Sequence, residues 1–87
     1  MNNEMRYRIG NEFRSTELGL IRINKNLKLR LSCDDKIKHA IREIILSTPI
    51  SNVEKTGKNF YFKNNIHDAI LTIHSRSLTV ITAKKIS

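Results

Sequence analysis

Hydrophobic residues follow a helical period in the first half of the chain and a strand period in the second half. Between residues 34 and 47, apolar side chains recur at intervals of three and four. That spacing places them on one face of a helix, and Pro49 forces the residue before it out of helical geometry. The pattern predicts a helix over residues 34–47 whose buried face carries Ile37, Ala40, Ile41, Ile44 and Ile45.

A broader apolar stripe predicts an earlier helix. Ser15 or Thr16 can cap its first turn, and Glu17 suits the positive end of the helix dipole. We therefore expect a helix over residues 16–27, with the apolar residues Leu18, Leu20, Ile21, Ile23 and Leu27. Residues 1–14 show no sustained period, and we interpret them either as a short edge strand or as a basic arm that orders only on a partner.

The period changes to two after Pro49, as it does in β-strands. The stretch NVEKTGKNFYFKN predicts a hairpin that turns at Gly57 and Lys58, because glycine supplies the backbone freedom that a tight turn needs. Alternation points Tyr61 away from its two phenylalanine neighbours. The expected cross-strand pairs are Val53 with Phe62 and Lys55 with Phe60.

Residues 69–85, AILTIHSRSLTVITAKK, predict a second hairpin with a tight turn around Ser75 and Arg76. Side chains alternate between the faces of a strand, so this register gives one core face and one open face. The expected core pairs are Leu71 with Val80 and Ile73 with Leu78. The expected pairs on the open face are Thr72 with Thr79 and His74 with Ser77.

These elements predict an α+β fold in which two N-terminal helices pack on one face of a four-stranded antiparallel meander sheet. Residues 15–87 are expected to form this single domain, after the arm or edge strand of residues 1–14. The helices leave the other face of the sheet open to solvent or to a ligand. Ile70 and Ile81 are expected to form the apolar centre of that open face.

Length and composition exclude several classes of protein. A chain of 87 residues builds one small core, which is too little for a deep substrate cavity. Its single cysteine, Cys33, permits neither an internal disulfide nor a paired-cysteine metal site. No apolar run resembles a signal peptide or a bilayer span. We expect a cytoplasmic protein that has no cofactor, no metal ion and no membrane partner.

The positive charge is the strongest signal in the composition. Sixteen Lys and Arg residues against eight Asp and Glu residues give a net charge of +8. The middle of the chain, residues 31–49, is balanced, whereas the segments on either side carry the excess. Such a field attracts polyanions. It fits nucleic acid or an acidic protein surface, and a third interpretation is that the charge serves solubility alone.

The second hairpin carries residue types that suit ribonuclease chemistry. His74 can act as general base on a ribose 2′-OH, and Arg76 can stabilise the pentavalent phosphate. Thr79 and Thr82 can hold phosphate oxygens. These four residues are the candidate catalytic residues. The plain alternative is a solvated strand end, where His and Thr are common.

Other basic and aromatic residues are candidates for binding nucleic acid without catalysis. A tyrosine can stack on an unpaired base, and lysines in turns or at strand ends can contact phosphate. The predicted binding set is Arg22, Lys25, Lys55, Lys58, Tyr61, Thr72, Lys84 and Lys85.

Several spaced motifs resemble a known family of small bacterial proteins. They are Thr16-Glu17-Leu18-Gly19, Arg22-Ile23 with Asn26-Leu27, Gly57-Lys58-Asn59-Phe60-Tyr61, and the strand from Thr79 to Ile86. Over about residues 15–87 the chain resembles the family called domain of unknown function 3781. The middle helix departs from the family, because members carry aromatic and cysteine residues where this chain has KIKHAIRE. The resemblance implies no activity.

The predicted layout is also similar to ribonuclease toxins of the barnase and RelE type. In those proteins a polar sheet face binds RNA, and His, Arg, Lys, Tyr or Thr side chains perform the chemistry. This similarity implies a metal-independent ribonuclease, although it concerns only the layout of the fold.

Three hypotheses follow. The first is a domain that binds nucleic acid, with RNA favoured over DNA, and that is a toxin-type ribonuclease if it is an enzyme. The second is a non-enzymatic protein-binding module, such as a phage- or plasmid-type inhibitor, which docks through Ile70, Ile81 and Tyr61. The third is a homodimer formed through the open sheet face.

Overall fold

The computed structural model describes all 87 residues as three helices followed by a four-stranded antiparallel meander. The α+β prediction is therefore confirmed, with one additional helix. No helix has the length and apolar character needed to cross a membrane. The helices are α1 (Asn3–Glu12), α2 (Glu17–Asn26) and α3 (Asp34–Ser47). A single 3-10 turn (Ile50–Asn52) then leads to strands β1 (Val53–Thr56), β2 (Asn59–Asn64), β3 (Ala69–His74) and β4 (Val80–Lys85).

The first segment is a helix, so the prediction of an arm or edge strand for residues 1–14 is wrong. Asn2 caps α1, because its side-chain oxygen accepts a hydrogen bond from the Met5 amide at 2.8 Å. Ile9 is the one large side chain of α1 that is fully buried. Met5 and Phe13 lie four residues on either side of Ile9 but are only partly buried, and the exposed Tyr7 alternates with Met5 and Ile9, so the segment also resembles a strand in sequence. The helix packs against α3 and belongs to the same domain.

The core lies between the helices and one face of the sheet. The four isoleucines of the predicted α3 stripe are buried, whereas Ala40 is only half-buried, and α2 packs chiefly on β4. The hydrophobic core is one cluster of 16 buried residues: Ile9, Leu20, Ile23, Leu27, Ile37, Ile41, Ile44, Ile45, Phe60, Phe62, Ala69, Leu71, Ile73, Leu78, Val80 and Ala83.

One buried polar side chain fastens α3 to the sheet. Asn64, at the end of β2, is 1% exposed. Its amide nitrogen lies 3.0 Å from the Ile44 carbonyl oxygen, 2.9 Å from Ser47 Oγ and 3.2 Å from Thr48 Oγ1. Its side-chain oxygen accepts from the His67 amide at 2.9 Å. Asn64 therefore satisfies polar groups at the C-terminal end of α3 and in the β2–β3 loop together.

The first hairpin has the predicted register. Val53 pairs with Phe62 and Lys55 pairs with Phe60. Gly57 has a φ of 61°, a left-handed conformation that favours glycine, so the turn forms where its signal lies in the sequence.

The predicted register of the second hairpin is wrong. Thr72 pairs with Thr82 and not with Thr79, and Ile73 pairs with Val80. Ile81 is the extra residue of a β-bulge between these two pairs. The connection is also longer than the predicted tight turn: the Leu78 amide donates to the His74 carbonyl at 2.9 Å.

The irregular loop preserves the predicted core face. Leu78 takes a left-handed φ of 57° and is 7% exposed, so burial of its side chain offsets a backbone cost of about 1–2 kcal/mol. The core prediction for Leu71, Ile73, Leu78 and Val80 is thereby confirmed.

Candidate nucleic-acid interface

The open face of the sheet contains a concavity of about 570 Å³. Four residues predicted for the site share it, namely Tyr61, Thr72, Thr82 and Lys84. Its wall is completed by Ser51, Asn52, Glu54, Lys63 and Ile70.

Two cross-strand rows build this surface. In the first row Tyr61, Thr72 and Thr82 are consecutive partners on β2, β3 and β4. Partners on neighbouring strands lie close enough for their side chains to form one continuous surface. The row presents an aromatic ring and the exposed Thr82 side chain, whereas Thr72 at its centre is only 8% exposed.

The second row consists of Lys63, Ile70 and Lys84, again consecutive partners on β2, β3 and β4. It places an apolar side chain between two ammonium groups. We define the two rows together as the sheet-face site: Tyr61, Lys63, Ile70, Thr72, Thr82 and Lys84. Glu54 is the only carboxylate that lines the concavity, so lysine charge is in excess there.

The bulge at Ile81 determines which β4 residues reach this face. Strict alternation from the buried Val80 would turn Thr82 and Lys84 toward the helices. The extra residue reverses that alternation, so that Ala83 is fully buried and Thr82 is exposed. Ile81 is 50% exposed as a result.

The other predicted catalytic residues are His74, the last residue of β3, and Arg76 and Thr79 in the loop that follows it. His74 Nδ1 accepts hydrogen bonds from the Arg76 and Ser77 amides, each at 3.3 Å. With Nδ1 engaged as an acceptor, the neutral ring carries its proton on Nε2, so the general-base role predicted for His74 would require Nδ1 to give up these two bonds. Thr79 Oγ1 accepts from the Ser77 hydroxyl at 2.9 Å. The loop is thus organised by its own polar side chains.

The turn of the first hairpin adjoins this loop. The Ser75 amide donates to the Lys58 carbonyl at 2.8 Å, and Lys55 and Lys58 are both exposed. Lys55, Lys58 and Arg76 therefore share one end of the sheet.

Three predicted binding residues lie elsewhere. Arg22 and Lys25 are exposed on α2, which packs against β4 from the helical side, and Lys85 pairs with Ala69 at the opposite end of β3. None of the three lines the concavity.

Most of the positive charge is unpaired. Only Arg8 and Arg42, among 16 Lys and Arg residues, lie within 4.0 Å of a carboxylate oxygen. Unpaired cations are available to polyanions, because no internal ion pair must first be broken.

Lys63 is the main residue of this surface that the sequence prediction missed. Lys63 follows the buried Phe62 in β2, so strand alternation places the Lys63 side chain on the same face as Tyr61. This alternation was a usable signal in the sequence. Ser51 and Asn52 lie in the short 3-10 turn, which has no periodic signature in the sequence.

The fold and its surface define a small basic α+β protein with an open, polar sheet face. A comparison with protein families matches residues 7–84 to the family described as protein of unknown function, DUF3781. The match spans nearly the whole chain, so the protein belongs to this family, as the sequence motifs indicated. Comparisons with curated proteins and with solved structures find no match. The similarity to barnase- and RelE-type toxins stays a prediction.

Proposed function

We propose that the protein binds single-stranded nucleic acid, with RNA favoured over DNA, through the sheet-face site. The observation that carries this proposal is the convergence of Tyr61, Lys63, Thr72 and Lys84 in one concavity on the open sheet face. Aromatic platforms beside basic groups are the usual means of binding unpaired bases and their backbone together.

The two rows contact different parts of the nucleic acid. The Tyr61 ring offers a face on which a base can stack, and the exposed Thr82 hydroxyl can donate to phosphate or ribose oxygens. Lys63 and Lys84 flank Ile70 and can neutralise phosphates. The exposed lysines at the hairpin end extend the positive field along the backbone of a longer strand.

A fluorescence-anisotropy titration with a labelled single-stranded RNA tests this proposal. The double variant Lys63→Gln/Lys84→Gln is compared with Arg8→Gln/Lys36→Gln, which removes two charges outside the site. Because each lost phosphate contact lowers the salt slope by about 0.7 for single strands, we expect the site variant to lower it by about 1.4. Equal slopes and affinities for the two double variants would contradict the assignment of the site.

Cleavage of RNA stays a prediction that binding does not require. The protein is incubated with RNA in EDTA, beside His74→Ala and the matched variant His67→Ala in the exposed β2–β3 loop. Fragments from wild type and His67→Ala, but not from His74→Ala, would support the ribonuclease. Equal cleavage by both variants would exclude His74 as a required group.

A second candidate function is protein binding through the same face. It is favoured by two apolar side chains of the sheet, Ile81, which is 50% exposed, and Ile70, which is half-buried. Such an interface, or a homodimer, would depend on apolar contact and would survive moderate salt. Sedimentation of wild type and Ile81→Ser at micromolar concentration distinguishes a homodimer from an interface with another protein. Only a homodimer would show a lower molecular mass after the substitution.

A further inference from the structure

A second concavity, of about 670 Å³, lies on the helical side of the molecule. It opens between the end of α1, the segment that joins α1 to α2, and the outer face of α3. We call it the helical cleft, and the residues that carry its chemistry are Asn11, Arg14, Ser15, Lys38, His39 and Arg42. It shares no lining residue with the sheet-face site, although the Arg14 backbone bonds to Leu78 and Val80 beside the β3–β4 loop.

Positive charge is in excess in the helical cleft. Arg14, Lys38 and Arg42 carry three permanent charges, whereas Asp35 is the one carboxylate that lines the cleft. No carboxylate oxygen lies within 4.0 Å of the Arg14 or Lys38 side chain. Like charges held around one hollow repel each other, and an anion of charge near −2 would balance them.

The Arg42 guanidinium is held in place by a hydrogen bond to α1. Its side chain is half-buried, and its Nε donates to Asn11 Oδ1 at 3.2 Å. The closest carboxylate oxygen, on Glu43, is 4.0 Å from the guanidinium. This contact from α3 to α1 restrains the guanidinium, whose Nη1 lies at the 4.0 Å limit from Glu43 while no carboxylate oxygen lies that close to Nη2. A planar guanidinium held in this way matches two oxygens of one phosphate group.

We propose that the helical cleft binds a terminal phosphate monoester. Such a group carries close to two negative charges, which suits one restrained arginine and two further cations. Its three acceptor oxygens can also accept hydrogen bonds from the Asn11 side-chain amide and the Ser15 hydroxyl. A phosphodiester within a chain carries a single charge and balances the cleft less well. The phosphate can belong to a free nucleotide or to the 5′ end of a nucleic acid, and binding here does not depend on the sheet-face site.

The test is a titration of the 15N-labelled full chain with inorganic phosphate at constant ionic strength. We expect saturable shifts of the Asn11, Ser15 and Arg42 amides, while the Ile70 amide on the sheet stays unchanged. Arg42→Gln should weaken binding at least about tenfold, because it removes a charge-assisted pair of hydrogen bonds. Lys36→Gln removes one charge from the same helix outside the cleft and should change affinity less than about twofold.

Two further ligands distinguish the sources of the phosphate. Tighter binding of adenosine monophosphate than of phosphate indicates a small nucleotide. Tighter binding of a 5′-phosphorylated RNA than of the same RNA with a 5′-hydroxyl, lost in Arg42→Gln, indicates a strand end. The proposal is overturned if phosphate gives no saturable shift at the cleft, or if Arg42→Gln and Lys36→Gln weaken binding equally. Circular dichroism of both variants establishes that each is folded.

Discussion

Replacement of Asn64 by alanine tests how α3 is fixed to the sheet. Asn64 is 1% exposed. Its side-chain amide donates to acceptors at the C-terminal end of α3, and its side-chain oxygen accepts from the His67 backbone amide. Two amide protons and one accepted bond make about three hydrogen bonds, each contributing about 0.5–1.5 kcal/mol. Asn64→Ala should therefore lower the free energy of unfolding by about 3 kcal/mol, before any cavity cost.

That loss is large for a domain of this size. Stability of roughly 0.05–0.15 kcal/mol per residue corresponds to about 4–13 kcal/mol for the chain, so the variant remains folded unless stability lies at the bottom of that range. A loss of 3 kcal/mol lowers the melting temperature by roughly 12–24 °C. The measurements are urea unfolding and a thermal scan, with Asn65→Ala in the exposed loop as the matched control, expected within about 0.5 kcal/mol of wild type.

Asn64→Asp sharpens the test. The aspartate is isosteric, but its carboxylate has no proton to donate to the three oxygens on α3. It should be less stable than Asn64→Ala at pH 7 and should regain stability as acid protonates it and restores a donor. If both variants unfold within about 0.5 kcal/mol of wild type, the reasoning about this buried contact is refuted.

Three further predictions concern stability. Lys28 has a left-handed φ of 53° in the turn that ends α2, where the Leu29 amide donates to the Asn24 carbonyl. Because glycine adopts this φ without strain, Lys28→Gly should raise the free energy of unfolding by about 0.5–1 kcal/mol. A lower melting temperature for the variant would contradict this prediction. Hydrogen bonds from the Ser87 hydroxyl and amide lower the pKa of Asp68 below 3.8. Their contribution is present above pH 3.8 and is lost as pH falls through the lowered value, so thermal scans from pH 5 to 2 should show a smaller decline for Asp68→Asn than for wild type. Ile9→Ala should cost about 2–5 kcal/mol by urea unfolding, whereas a cost below 0.5 kcal/mol would show that α1 is not docked.

The elements that could be predicted are those with a repeated local signal. The α3 helix combines isoleucines at intervals of three and four with a proline stop, and the first hairpin combines alternation with a glycine turn. Helix α1 has an ambiguous signal, because Met5, Ile9 and Phe13 recur every four residues while the exposed Tyr7 makes the same segment alternate like a strand. The second hairpin was misaligned because Leu78 takes a positive φ without being glycine and because Ile81 forms a bulge.

The candidate surface was predictable to a similar degree. Tyr61 and Thr72 were assigned to one face by alternation, and the structure pairs them. Thr82 and Lys84 reach that face only through the bulge, which alternation does not foresee. The helical cleft was out of reach, since Asn11, Ser15 and Arg42 come from three separate segments that only the docking of α1 on α3 brings together.

The central claim is that the sheet-face site stacks nucleic-acid bases on Tyr61. The chain contains two tyrosines, and Tyr7 is 57% exposed on α1, away from the sheet. The decisive measurement is the RNA affinity of Tyr61→Leu beside Tyr7→Leu at one fixed salt concentration. We expect a loss of about 5- to 150-fold for Tyr61→Leu, the equivalent of about 1–3 kcal/mol for one stacked base, and less than twofold for Tyr7→Leu. Equal affinities for the two folded variants would contradict it.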